Sequence, residues 1–152
     1  RDLKPQNLLV YEAKVPIDRC VVKIADFGLS KSFQDAEPMT EMVGSLSYAA
    51  PQVLQGSYTH SCDLWSLGVI TYALLWAATP FAGTTDAETA RKVLDGKFTF
   101  GEAVKGAVSK DGHDFVQRLL EYDPAARATA RQALEHVWVQ GLAPNAPEVP
   151  LG

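Results

Sequence analysis

From Leu64 to Thr85 the chain carries no charged side chain, and the stretch Leu64–Ala78 is almost wholly apolar. Crossing a bilayer takes roughly 18–20 apolar residues. This run is shorter and is interrupted by Ser66, Gly68 and Thr71. It therefore reads as a helix buried in the core of a globular unit. Asp63 stands at its front, where an acidic group suits the positive end of the helix dipole. Thr79-Pro80 forces a stop.

The 152 residues make one ordinary domain or a piece of a larger one. With 47% hydrophobic and 21% charged residues, wholesale disorder is excluded. The net charge is −4 and no basic block occurs, which argues against a nucleic-acid or anionic-membrane footprint. Cys20 and Cys62 cannot build a disulfide framework, so a reducing, intracellular and cytoplasmic setting is expected. The chain opens on Arg1, inside a motif, so the lack of a signal peptide in it says little about the parent protein.

Two short β-prone runs, Leu8–Val10 and Val21–Ile24, flank a charged loop, Glu12–Arg19. Leu29–Pro51 holds no period, and a long irregular segment of that kind is either functional or disordered. Helices follow. One runs from Thr59 into the apolar stretch. A second starts at Thr85 or Asp86 and ends at Gly96. A third is capped by Ser109 and stops at Asp123-Pro124. Thr129 and Gln132 form a capping box for a fourth, whose buried stripe is Ala130, Ala133, Leu134, Val137 and Trp138. The tail, 143–152, carries three prolines and is expected to fray.

Chemistry concentrates at the front. In Arg1-Asp2-Leu3-Lys4-Pro5-Gln6-Asn7, an Asp is followed five positions later by an Asn, on a loop entering a strand. That pair suits a hydroxyl acceptor beside a metal ligand. Asp26-Phe27-Gly28 places a carboxylate at a strand end, with a glycine that lets the backbone turn, an arrangement able to hold Mg²⁺ on nucleotide phosphates.

Together with Ala50-Pro51-Gln52, Asp63-Leu64-Trp65-Ser66-Leu67-Gly68 and Arg127, these motifs make the chain resemble the eukaryotic protein kinases over residues 1 to about 140. The flavour of Ile24–Lys31, Tyr48–Leu54 and Arg131–Trp138 is similar to the calcium- or calmodulin-dependent Ser/Thr kinases. The resemblance implies a kinase C-terminal lobe, mainly α-helical with short strands near its N-terminus, spanning residues 1–142 and lacking the N-terminal lobe. It implies ATP and Mg²⁺ as cofactors, Ser/Thr-bearing protein substrates, and calcium-sensor or calmodulin regulation in the parent. It assigns Asp2 to the substrate hydroxyl, Lys4 to the γ-phosphoryl group, and Asn7 and Asp26 to the metal ions. Lys4, in place of the Ala-Ala-Arg pattern of tyrosine kinases, points to Ser/Thr substrates. Ser45 would bridge Asp2 and Lys4 with its hydroxyl. Asp63 would brace the catalytic-loop backbone.

Arg1 would face the activation segment, Leu29–Ala49, where many relatives carry a phosphothreonine. Counting back from Gly44 gives Glu41, expected to stand in for that phosphate with about one charge instead of nearly two. Gln52 replaces a Glu whose partner is Arg127, so an ion pair becomes a neutral hydrogen bond, roughly 1–3 kcal/mol poorer if buried. No Gly-rich loop, nucleotide-clamping Lys or partner Glu is present. The chain alone is accordingly expected to be catalytically incompetent, with apolar surface open to solvent. A non-catalytic binding module is the alternative.

Other features carry blander expectations. Asp35, Asp86, Asp95 and Asp111 read as solvated or capping groups. His60 and Cys62 lack the second pair a zinc site needs. His113 and His136 read as surface or packing residues, and Trp65, Trp76 and Trp138 as core anchors. Thr40, Ser45 and Ser47 are hydroxyls open to phosphorylation.

Overall fold

The computed structural model describes residues 1–12, 14–16, 19–34, 37–101 and 108–142. The Pro-rich tail and Asp35 lie outside the described residues. The architecture is mostly helical with one small sheet.

Strands β1 (Leu8–Val10) and β2 (Val22–Ile24) pair antiparallel, with Leu8 opposite Ile24 and Val10 opposite Val22. Two strands alone make a marginal sheet, and this pair is apolar without being buried. Leu9 and Val10 are each 54% exposed and Ile24 52%. The helices are α1 (Pro51–Leu54), α2 (Cys62–Trp76), α3 (Asp86–Asp95), α4 (Lys110–Leu119), α5 (Ala130–Leu134) and α6 (Val137–Leu142).

The uncharged run forms α2, which starts three residues later than Thr59 and ends before Thr79-Pro80 with Ala77 in the left-handed region (φ 53°). Trp65, Val69, Ile70, Tyr72 and Trp76 of this helix are buried. It packs on α4 and on the 3₁₀ turn Leu46–Tyr48. Among the described residues no helix is long and apolar enough to cross a membrane. Trp65 stacks on Phe81, and Tyr72, Trp76, Phe98 and Phe100 form an aromatic cluster that His113 closes edge-on.

Local signals set the helix starts. Thr85 Oγ1 accepts from Glu88 N (3.2 Å), Ser109 Oγ from Gly112 N (3.1 Å), and both arms of the Thr129–Gln132 capping box are made. Replacing Ser109 with Ala is expected to cost about 1 kcal/mol and with Gly a few tenths, read from urea unfolding midpoints.

The fourth predicted helix is corrected to two. His136 Nδ1 accepts the Trp138 N–H (3.2 Å) while Nε2 meets Asp114 Oδ2 (3.0 Å). The imidazole thus takes a main-chain donor and starts a new helix, turning the expected stripe. Ala133 is buried and Trp138 packs beside Phe115, but Leu134 is 50% and Val137 62% exposed, and Ala130 also faces solvent.

Candidate active site

Lys4 is fully extended, and Pro5, with its fixed φ, opens a 3₁₀ turn through Asn7. The turn folds Asn7 back on Asp2. The buried Asn7 donates from Nδ2 to the Asp2 main-chain oxygen (2.9 Å), which leaves its amide oxygen as the atom suited to a cation. Directly beyond β2, Ala25 N–H donates to Asn7 O (2.8 Å), so the sheet pairing sets the residue before Asp26 against Asn7, which does not itself line the cleft described below. Asp26 has φ 60°, a left-handed conformation that Asp tolerates better than most residues. Its Oδ1 accepts from Gly28 N (3.1 Å). Asp2 and Asp26 line one cleft of about 140 Å³, with Asp63, Phe27 and Leu29 on its walls.

Asp2, Lys4 and Ser45 close a ring. Lys4 Nζ reaches Asp2 Oδ2 (2.7 Å) and Ser45 Oγ (2.9 Å), and Ser45 N donates to Asp2 Oδ1 (2.7 Å). Ser45 thus meets both groups, and its main-chain N–H adds a direct bond to the carboxylate. Burial alone would raise the Asp2 pKa, but hydrogen bonds from Lys4 and Ser45 bring it below the ordinary 3.8. A lowered carboxylate pKa means that the ring contributes stability above pH 3.8, lost as the pH falls through the folded value.

Arg1 joins this loop to the irregular segment. Its Nε donates to Leu29 O (2.7 Å), and Nη1 contacts both Glu41 and the Tyr58 hydroxyl (3.1 Å). Lys31 Nζ also meets both Glu41 oxygens (3.0 and 3.1 Å). Together the two cations hold the Glu41 carboxyl below its usual range. Asp63 Oδ1 lies 3.2 Å from the Arg1 main-chain nitrogen.

Gln52 and Arg127 meet in the interior. Arg127, 3% exposed, donates to Glu121 O, Ser61 O, Tyr122 O and Gln52 Oε1, with its guanidinium over the Trp65 ring. Burial among neutral acceptors drags its pKa down to about 10. Gln52 Nε2 also donates to Tyr122 O (2.7 Å), a bond no carboxylate could make. The sequence reading missed this compensation, as it missed Lys31, Tyr58 and the approach of Gly44 to Arg1. In Lys31 and Tyr58 the only signal was their polarity.

Among the described residues no three His, Cys, Asp or Glu side chains cluster as a metal site. Mg²⁺ needs no such cage, because it is commonly held by one or two carboxylates plus substrate phosphates and water. Asp26 with the free oxygen of Asn7 fits that pattern.

Residues 1–139 match the family described as protein kinase domain. The chain is 44% identical over its whole length to calcium-dependent protein kinase 3 of Oryza sativa subsp. japonica, covering 27% of that protein. It is 42% identical over 92% of its length to calcium-dependent protein kinase 4 of Plasmodium berghei, covering 26%. Against calcium-dependent protein kinase 13 of Arabidopsis thaliana the identity is 41% over the whole chain and 28% of that protein is covered. The chain thus spans about a quarter of the length of these relatives.

Proposed function

The chain belongs to the protein kinase family, and on that premise we propose that residues 1–142 are the C-terminal lobe portion of a Ser/Thr kinase domain. The complete protein would transfer the γ-phosphate of ATP to Ser or Thr hydroxyls of protein substrates. The observation that carries this reading is the Asp2–Lys4–Ser45 ring. It sets a proton acceptor, a cation and a segment hydroxyl at hydrogen-bond distance, which is what alignment-driven phosphoryl transfer requires.

In this reading Asp2 orients the substrate hydroxyl. Its depressed pKa makes it a weak base, and a loose transition state demands little proton abstraction before bond cleavage. Lys4 carries positive charge to the transferred group, and Ser45 holds both in register. Asn7 and Asp26 would hold Mg²⁺, which would neutralise negative charge on the nucleotide phosphates. Arg1 and Lys31 meet the activation segment at Glu41, a permanent carboxylate at the place where many protein kinases carry a phosphothreonine. Asp63 braces the loop backbone. Gln52 and Arg127 brace the segment's far end. The relatives are named as calcium-dependent, which supports calcium control; the proposal extends this to a calcium sensor or calmodulin, and to an intracellular setting where ATP is available.

The test is transfer of labelled phosphate from ATP to a Ser/Thr peptide by a complete kinase domain carrying these residues. Transfer that stops on chelation of Mg²⁺ is expected. Peptide binding with no transfer would instead establish the non-catalytic module.

A further inference from the structure

The Arg1–Glu41 contact is open to water on the carboxylate side, although the Arg1 side chain itself is only 12% exposed. Glu41 is half exposed, as is Lys31. Charge pairs of that kind are screened by salt and hold a segment weakly. Directly beneath them sits Tyr58, 3% exposed. Its hydroxyl donates to the Glu41 main-chain oxygen (2.8 Å) and accepts from Arg1 Nη1 (3.1 Å). Its backbone pairs with Met39 in both directions, Met39 N to Tyr58 O at 2.8 Å and Tyr58 N to Met39 O at 3.0 Å.

We propose that Tyr58, more than Glu41, is the positioning residue that fixes the activation segment on Arg1. The proposal rests on reading residues 29–49 as that segment. A phenol donates and accepts through one oxygen, so it can tie a guanidinium and a main-chain carbonyl together where water is excluded. The bridge also decides which residue Arg1 meets. Side chains alternate in extended backbone: Met39 is buried, Thr40 faces solvent and Glu41 turns to Arg1. A slip of one residue against Tyr58 would present Thr40 to Arg1 and send Glu41 outward. The carboxylate is therefore the group the segment displays, and Tyr58 sets that display.

Amide hydrogen exchange on a complete kinase domain carrying these residues tests the proposal. Tyr58→Phe keeps the ring and removes the oxygen, leaving the Glu41 carbonyl and an Arg1 N–H unpartnered. Protection at Met39 and Ser45 is expected to fall by about tenfold or more, equally at low and at 0.5 M salt (about the level where screening is strong), while Val69 and Val116 keep theirs. Glu41→Gln is expected to change protection less than about threefold, and not at all at high salt. Equal loosening by the two variants, unchanged protection in Tyr58→Phe, or parallel loss at Val69 and Val116 would each overturn it, the last by making Tyr58 an ordinary core residue. Absent phosphotransfer in a complete wild-type domain would sink the kinase reading alone, because the exchange result is read without activity.

Discussion

Gly44→Ala in a complete kinase domain is expected to lower kcat about 10²-fold, a loss typical of an ångström-scale misplacement of catalytic groups. The position cannot take a side chain. Gly44 has φ 96°, and a Cβ there would fall 2.6 Å from the Arg1 carbonyl oxygen and 3.5 Å from Asp2 Oδ1. The carbonyl cannot retreat without moving Asp2, the next residue, and the segment cannot retreat without pulling the Ser45 N–H off the carboxylate it holds at 2.7 Å. Either response opens the ring that aligns Asp2 and Lys4. Backbone strain of about 1–3 kcal/mol adds to overpacking of similar size, so urea unfolding of the same domain should show a loss of about 2–6 kcal/mol. Gly56→Ala separates the two causes. Gly56 also has positive φ (73°), but its Cβ would meet nothing nearer than Thr40 O at 3.9 Å. It should cost only the backbone strain and leave kcat unchanged. An equal loss at both positions would show that the approach to Arg1 is unimportant.

What the sequence disclosed divides by range. Thr85, Ser109 and Thr129 bond to N–H groups three residues ahead, so a local pattern suffices to find them. The motifs holding Asp2, Asn7 and Asp26 are legible because each lies beside a β-prone run; the pairing of those runs puts the Ala25 N–H on Asn7 O, and Asp2 and Asp26 line one cleft. The buried helix follows from its missing charges. The break at His136 is hidden, because the imidazole acts through Asp114, 22 residues away in the chain, while the apolar spacing continues as if nothing intervened. Tyr58 meets Arg1 across 57 positions. Gly44 announces conformational freedom but not the carbonyl that makes it necessary. The amide of Gln52 reads as a lost charge, and only the position of Tyr122 O shows that it supplies a donor in return.

That exchange makes Arg127→Met the severest test of the interior. Methionine retains much of the stem's apolar packing over Trp65 and removes every donor. Glu121 O and Ser61 O then lose their guanidinium partners, as does Gln52 Oε1, in a site closed to water. Loss of one side of a buried polar network of this kind costs about 3–5 kcal/mol, a large part of the stability of a small domain. Gln52→Glu acts on the same contact with the opposite balance. A carboxylate would restore the ion pair and lift the Arg127 pKa back from about 10, but it would face Tyr122 O with no hydrogen to give. The two effects oppose, and the expected net change is within about 1 kcal/mol. Unfolding of both variants and of the double variant completes a cycle. With Arg127 gone, the new carboxylate is buried without a partner, so the double variant should be less stable than Arg127→Met alone. If it is equally stable, water reaches the site and the neutral pair costs this chain nothing.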